Sequence, residues 1–113
     1  MKFISKNQTK IFKNSENCTA IEYPAGDKDI NGAVIELTGR YPIKGRIVNL
    51  KCKELAYVIK GSGKIVVEGK EINLNEGDLI LIEPGEKYFW EGNSKIFASC
   101  TPAWYLEQHK EVE

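Results

Sequence analysis

The stretch that decides the fold is residues 77–88, Gly77-Asp78-Leu79-Ile80-Leu81-Ile82-Glu83-Pro84-Gly85-Glu86-Lys87-Tyr88, in which an apolar run lies between two turn signals. Asn75-Glu76-Gly77 precedes the run and Pro84-Gly85 follows it, and both segments suit tight turns. A short apolar run bounded in this way is typical of a strand in a sandwich or barrel. Turn signals recur at similar intervals from Pro24 to Gly92. The sequence therefore predicts an all-β domain.

Working outward from this stretch, the other candidate strands are rich in Val, Ile, Tyr or Phe, which suit a pleated surface. Together with Asp78–Ile82 they are Cys18–Tyr23, Ala33–Thr38, Arg46–Leu50, Leu55–Lys60, Lys64–Glu68, Glu71–Leu74, Lys87–Trp90 and Lys95–Cys100. Four glycine-containing segments between strands are predicted to be tight antiparallel turns: Gly61-Ser62-Gly63, Glu68-Gly69-Lys70, Asn75-Glu76-Gly77 and Glu91-Gly92-Asn93. The tail from Thr101-Pro102 onward predicts a short C-terminal helix or turn, since a capping residue precedes proline at the first helical position.

Length and charge restrict the classes of function. The 113 residues suit one domain, residues 1–113. Sixteen basic side chains balance sixteen acidic ones, so neither nucleic acid nor an anionic membrane is expected as a partner. No apolar run approaches the roughly 20 residues that cross a bilayer, and the N-terminal residues do not resemble a secretory signal. We expect a cytoplasmic protein without a membrane partner.

The cysteines predict neither a disulfide framework nor a paired metal site. Cys18, Cys52 and Cys100 are odd in number and widely spaced. Lys51 and Lys53 flank Cys52, yet no histidine stands nearby to activate its thiol. We expect three plain thiols.

From Gly45 to Trp90 the sequence resembles the cupins, a family of small jelly-roll β-barrels with two motifs joined by a hairpin. Glu54-Leu55-Ala56-Tyr57-Val58-Ile59-Lys60-Gly61-Ser62-Gly63 is similar to the second half of the first motif, and residues 77–88 are similar to the second. The resemblance implies a cupin-type β-barrel or β-sandwich with a motif core at about 45–92. Residues 1–17 would then form an arm or edge strand, and residues 101–113 a tail.

The resemblance also shows what this chain lacks. The family's first motif carries His-x-His, which falls here on Val48 and Leu50 or on Ile47 and Asn49, depending on the spacing to Glu54. The family's later histidine falls on Tyr88. Of these positions only Glu54 holds a good ligand for a transition metal. The resemblance therefore implies no family-type metal site and no cofactor.

Glu54 is the first candidate for chemistry. A carboxylate inside an apolar barrel has its charged form disfavoured, so its pKa rises toward the range used by general acids and bases. The alternative is a carboxylate paired with Arg46 or Lys44, or one at the solvated mouth of the barrel. Both interpretations remain open at this stage.

Tyr88 is the second candidate, because it can donate or accept a hydrogen bond and offers an aromatic face. Alternation along the strand puts Tyr88 and Trp90 on one side, where they would form a wall for a planar or sugar-like ligand if that side faces inward. If it faces outward, the same pair would form part of a dimer surface.

Asn49 is an amide in an apolar stretch, and inside a barrel such a group must be hydrogen-bonded. It is therefore either a ligand-orienting group or an outward-facing side chain. By strict alternation Asn49 and Glu54 lie on opposite faces, so a shared site requires a bulge or bend near Cys52.

Two further positions are weighed. Arg40-Tyr41-Pro42 resembles a segment of small cupins that also end in a Pro-Ala-Trp tail, here Pro102-Ala103-Trp104. Arg40 can clamp a carboxylate or phosphate, although a loop arginine is more often solvated. His109 is the only histidine, and its charged neighbours predict that it is exposed to solvent.

Three functions are compatible with the sequence. The first is a small-molecule-binding cupin without the usual metal, holding a polar or sugar-like metabolite near Asn49, Glu54, Tyr88, Trp90, Arg40 and Tyr41. The second is a metal-independent isomerase, epimerase or lyase with Glu54 and Tyr88 as catalytic residues. The third is a structural dimerisation module. An open barrel interior would favour the first two, and we expect the small-molecule binder to be a homodimer.

Overall fold

The computed structural model describes all residues, 1–113, and its regular secondary structure consists almost entirely of strands. In chain order these are β1 Lys10–Ser15, β2 Cys18–Tyr23, β3 Asn31–Tyr41, β4 Arg46–Asn49, β5 Lys53–Val67, β6 Lys70–Leu74, β7 Leu79–Ile82, β8 Lys87–Thr101 and β9 His109–Val112. Two single 3₁₀ turns, Lys6–Gln8 and Leu106–Gln108, complete the chain. The predicted all-β class is confirmed.

The sheet is antiparallel throughout and curls on itself. Its main path runs in the order β1-β2-β3-β8-β4-β9, and β5 pairs with β6, β7 and β8. Because β8 pairs with β3, β4 and β5, it connects the two layers of the jelly roll. β1 pairs only with β2 and forms an edge.

Two of the predicted turns are wrong. Gly61-Ser62-Gly63 lies within β5 and Glu91-Gly92-Asn93 within β8, so the structure has two long strands where the sequence predicted four short ones. Gly63 pairs with Gly92, and a Cβ placed on Gly92 would lie 2.5 Å from the Gly63 Cα atom. These glycines allow two bent strands to approach closely, which is the other common use of glycine in sheets.

The other two turns are confirmed. Glu68-Gly69 connects β5 to β6 with both residues at positive φ. Asn75-Glu76-Gly77 connects β6 to β7, and the Asp78 side chain accepts a hydrogen bond from the Asn75 N–H. A Cβ on Gly69 or Gly77 would meet no atom within 4 Å, so glycine is used at these sites for its backbone freedom in the chain reversal.

The C-terminal segment ends in a strand that the sequence did not predict. Thr101 belongs to β8 and caps no helix; only the Leu106–Gln108 turn is helical. β9 then pairs with β4, with Asn49 opposite His109. A tail of alternating charged residues therefore finds its place through backbone pairing, not through an apolar face.

The core lies between the two layers. Its largest fully buried side chains are Tyr88, Ile65, Ile82, Asn49 and Cys52. No helix of this chain is both long enough and apolar enough to cross a membrane.

Candidate ligand-binding pocket

A cavity of about 490 Å³ opens into the barrel between β2, β3, β8 and the C-terminal segment. Its volume lies in the range of small-molecule sites. Small side chains at inward positions create this space: Cys18, Ala20, Ala33, Ala98 and Cys100. The other lining residues are Phe12, Asn14, Glu22, Asn31, Ile35, Leu37, Tyr41, Ile47, Glu54, Tyr88, Trp90, Ile96, Trp104, Leu106, His109 and Glu111. The barrel interior is therefore open, which is the condition set above for ligand chemistry.

Asn49 organises the polar groups beside the pocket. Its Nδ2 lies 3.1 Å from the Tyr88 hydroxyl and 3.5 Å from Glu54 Oε1. Its Oδ1 lies 3.0 Å from Gln108 Nε2 and 3.0 Å from His109 Nδ1. Four side chains, from β5, β8, β9 and the C-terminal turn, thus contact the Asn49 amide.

The conflict of faces between Asn49 and Glu54 is resolved by a bend. Asn49 ends β4 and Glu54 lies near the start of β5, with Leu50 and Lys51 turning between the two strands. Alternation is therefore interrupted before Cys52, and both side chains face the interior.

Glu54 has no cationic partner. Its Oε1 receives only the Asn49 amide and the Cys100 thiol, whose Sγ lies 3.6 Å away. Arg46, one alternative partner, instead donates to the backbone carbonyl of Glu113. Burial raises the pKa of the Glu54 carboxyl, and the two hydrogen bonds lower it only in part. The carboxyl is consequently suited to hold and release a proton.

The aromatic residues predicted for the site face inward. Tyr88 is 1% exposed and Trp90 8%, and their rings meet edge to face with centroids 6.4 Å apart. Tyr41 also lines the pocket. Burial raises the pKa of Tyr88 and of Tyr41, so both hydroxyls keep their protons. Of the two alternatives left open by the sequence, Tyr88 and Trp90 therefore face the interior and not a dimer surface.

Arg40 does not join these residues. Its guanidinium donates to the carbonyls of Pro42 and Gly45 and lies 3.9 Å from the centroid of the Phe89 ring. It does not line the pocket. Arg40 lies in β3, not in a loop as the sequence suggested, and it holds the loop between β3 and β4, so it does not clamp a ligand in the pocket.

His109 is where the sequence prediction fails most clearly. It is not a solvated tail residue: it lines the pocket, contacts Asn49, and lies under Trp104, with ring centroids 5.4 Å apart. Gln108, which sequence reasoning missed, is 2% exposed, and its Oε1 accepts from the N–H groups of Lys51 and Cys52. The charged neighbours misled because they do not reveal the pairing of β9 with β4, which brings His109 and Glu111 to the pocket.

Cupins commonly hold a metal ion, and the residues at the corresponding positions of this chain can be identified. The pairing of Asn49 with Glu54 and Tyr88 identifies Ile47 and Asn49 as the His-x-His positions. These positions thus offer one aliphatic chain, one amide, one carboxyl and one phenol. No group of three His, Cys, Asp or Glu side chains converges anywhere in the chain. The residues do not fit a transition metal, which needs several imidazole or carboxylate ligands.

Comparisons with known proteins agree with this architecture. A family model described as "Cupin domain" matches residues 51–95. A variant of Streptomyces Pac13 with uridine has a TM-score of 0.90 at 15% identity, covering 100% of this chain and 92% of that one. Another structure describes Pac13 as a unique nucleoside dehydratase. KdgF from Halomonas sp. has a TM-score of 0.71 at 14% identity, covering 90% and 94%.

A structure called an RmlC-like cupin, from Shewanella frigidimarina, has a TM-score of 0.75 at 17% identity, covering 91% of this chain and 93% of that one. No curated protein sequence matches the chain. At such low identities the structural likeness concerns the fold alone.

Proposed function

The chain is a member of the cupin superfamily, and on that premise we propose that it binds a small, uncharged molecule rich in hydroxyl groups, such as a nucleoside or a free sugar. The observation that carries the proposal is the pocket itself. Its walls are mostly apolar, and Glu54, Tyr88 and His109 converge on one region of it. Few, convergent polar groups in an apolar cavity are the usual form of a small-molecule site.

The charge of the pocket supports an uncharged ligand. Glu22, Glu54 and Glu111 line it, and no lysine or arginine does. An anionic ligand would meet acidic side chains without a compensating cation, which costs binding free energy. Phosphorylated and carboxylated metabolites are therefore disfavoured.

Aromatic side chains support a ligand with a ring. The pocket is lined by Tyr41, Tyr88, Trp90 and Trp104, whose rings offer flat or edge-on apolar contacts. The resemblance in fold to a protein whose structure contains uridine makes a nucleoside the first probe to use.

The test compares uridine with uridine monophosphate by calorimetry or chemical-shift titration. We expect uridine to bind at least tenfold more tightly, which corresponds to about 1.4 kcal/mol. A free sugar extends the test if uridine does not bind. Tighter binding of the phosphate ester, or no binding of any neutral probe, would contradict the proposal.

Glu54 favours a second candidate, an isomerase, epimerase or lyase. Burial raises the pKa of this carboxyl, which has no cationic partner, and so favours the protonated form that can transfer a proton to a bound oxygen. In deuterated water, fructose incubated with the protein should exchange the hydrogens beside its carbonyl, as nuclear magnetic resonance would show. Glu54→Gln should slow that exchange by about 10²–10⁴-fold; equal rates with both proteins would rule out this role for Glu54.

We also propose a homodimer that forms through the outer face of the sheet. Paired positions on that face carry an unbroken apolar row: Ile11, Ile21, Val34, Phe97, Tyr57 and Leu79. Several are well exposed, Leu79 at 58% and Tyr57 at 44%. Light scattering should give the mass of two chains for the wild type and of one for Tyr57→Lys. A monomeric wild type would end this proposal without affecting the pocket.

A cytoplasmic location is the last element of the proposal. All three cysteines are free and buried, as in proteins that reside in reducing compartments. Cell fractionation followed by immunoblotting would test the location, and recovery outside the cytoplasm would contradict it.

A further inference from the structure

The proposed function counts His109 among the polar groups of the pocket but does not assign its chemical role. It is the only histidine of the chain, and it lies on the polar network through Asn49. An imidazole presents either an N–H donor or a bare nitrogen to a ligand, depending on its tautomer. The hydrogen bonds around it determine which one is present here.

The first step is the orientation of Gln108. The backbone N–H groups of Lys51 and Cys52 point to one end of its side-chain amide, at 3.2 and 3.1 Å. Backbone N–H groups only donate, so that end must be the oxygen. The Gln108 NH₂ group is then the end that faces Asn49, at 3.0 Å.

The second step is the orientation of Asn49. Because the Gln108 NH₂ group donates to it, the Asn49 atom at that position must be Oδ1. The Asn49 NH₂ group therefore faces Tyr88 and Glu54 and donates to both. The backbone donors thus fix the orientation of the Gln108 amide, and Gln108 in turn fixes that of Asn49.

The third step is the tautomer. His109 Nδ1 lies 3.0 Å from the same Asn49 Oδ1, which can only accept, so Nδ1 carries the hydrogen. Burial lowers the pKa of His109, so the ring is neutral and its Nε2 is bare. Every buried side-chain nitrogen or oxygen of this protein has a hydrogen-bond partner, whereas Nε2 has none. Nε2 is therefore accessible, in a ring that lines the pocket.

We propose that His109 is the hydrogen-bond acceptor and base of the pocket, fixed as the Nδ1–H tautomer by the chain of amides through Asn49 and Gln108. The inference rests on the proposed function in that a ligand must occupy the pocket for Nε2 to act on it. It selects ligands that present a hydroxyl, an N–H or an acidic C–H group to Nε2. A ligand that offers only an acceptor at that point places its lone pair against the lone pair of Nε2, which disfavours binding.

His109 complements Glu54, since both contact Asn49 and carry opposite capacities. In an enolisation, Nε2 takes a proton from the carbon beside a carbonyl, and the electron pair of that C–H bond forms the C=C bond. The protonated Glu54 carboxyl gives its proton to the carbonyl oxygen as the C=O π bond breaks. One proton is taken and one is given, and no oxidant or reductant is needed.

The tautomer can be measured without any ligand. A long-range ¹H–¹⁵N spectrum of the labelled protein contains one imidazole, so it needs no assignment. At a pH above the ordinary histidine pKa, we expect a protonated Nδ1 and a bare Nε2. An Nε2–H tautomer in the wild type would overturn the proposal, whatever the pocket binds.

Gln108→Glu tests the amide chain. A carboxylate at position 108 still accepts from Lys51 and Cys52 but donates nothing, so the Asn49 amide should turn over and the tautomer of His109 should reverse. If the tautomer is unchanged in a folded Gln108→Glu protein, the chain of amides does not control it. Asn49→Leu, which lacks the acceptor, gives a second test: the fraction of Nδ1–H tautomer should fall.

The last arm separates His109 from the proposed function. His109→Gln keeps an acceptor near Nε2, while His109→Phe keeps only the ring. Uridine should bind the first variant within a few-fold of the wild type and the second at least tenfold more weakly. Equal binding by both variants would contradict the role of Nε2, whereas no binding even by the wild type would contradict the proposed ligand class and leave the tautomer result standing.

Discussion

The two ends of the barrel interior are formed largely by the same strands, β3, β5 and β8, but they are filled differently. At one end Val58 and Leu74 lie beside a space that holds no water-sized volume. At the other, Ala33 and Ala98 face the cavity described above. The contrast lies in side-chain size, since the backbone pairing of β3 with β8 continues without a break through both ends.

This difference shows how a cavity is made within a fold whose core is otherwise packed. The filled end buries large apolar side chains, which stabilise the barrel. The open end has small side chains at a few inward positions, so less apolar surface is buried there, and it also carries polar groups. Substitutions should therefore have opposite consequences at the two ends.

The largest effect is expected at the filled end. Ile65 is fully buried and does not line the pocket, so Ile65→Ala should lower the free energy of unfolding by about 2–5 kcal/mol. Chemical denaturation measures the change. A loss below about 1 kcal/mol would show that this end is packed more loosely than described.

Glu54→Gln should have an intermediate effect, and a stabilising one. The folded-state pKa of Glu54 is raised, so its contribution to stability is fully present below the unfolded pKa and is lost as the pH rises through the folded pKa. Glutamine does not ionise and avoids that loss. At neutral pH we expect a gain of about 1–3 kcal/mol that vanishes in acid.

The control for this experiment is built into the comparison. His109 titrates in both proteins, so its contribution cancels in the difference between their pH profiles. A difference that is constant with pH would show that Glu54 has an ordinary pKa and that the gain has another cause.

The smallest change in stability is expected at the open end. Ala98→Leu extends a side chain into the cavity, where it displaces no protein atoms, so the free energy of unfolding should change by less than about 1 kcal/mol. Uridine binding should nevertheless weaken at least tenfold. A loss of stability as large as that of Ile65→Ala would mean that the cavity is not free space.

Much of the fold was predictable because it rests on local signals. Residues 77–88 carry a turn, a short apolar strand and a second turn in sequence order, and the structure has all three, although only Ile82 of that strand is buried. The glycines of β5 and β8 misled because a close approach of two backbones leaves the same local mark as a turn, and the partner strand is invisible in the sequence.

The site was predictable only where the strands that carry it were. Glu54, Tyr88 and Trp90 lie in recognisable motifs, and alternation puts Tyr88 and Trp90 on one side of their strand, but only the structure shows that this side faces inward. Gln108 and His109 reach the same place through the pairing of β9 with β4. Nothing within residues 106–112 signals that pairing, because its hydrogen bonds involve backbone groups that every residue possesses.

The position of Gln108 also makes the pocket a late product of protein synthesis. The N–H groups of Lys51 and Cys52, which are translated much earlier, have their side-chain acceptor only after residue 108 has emerged. A truncated chain that ends before it would leave two backbone donors unpaired, Asn49 without its amide donor and the pocket without His109. A chain truncated before residue 108 therefore loses the polar network of the pocket, whereas the spectroscopic signature of β-structure, which β1 to β8 dominate, changes little.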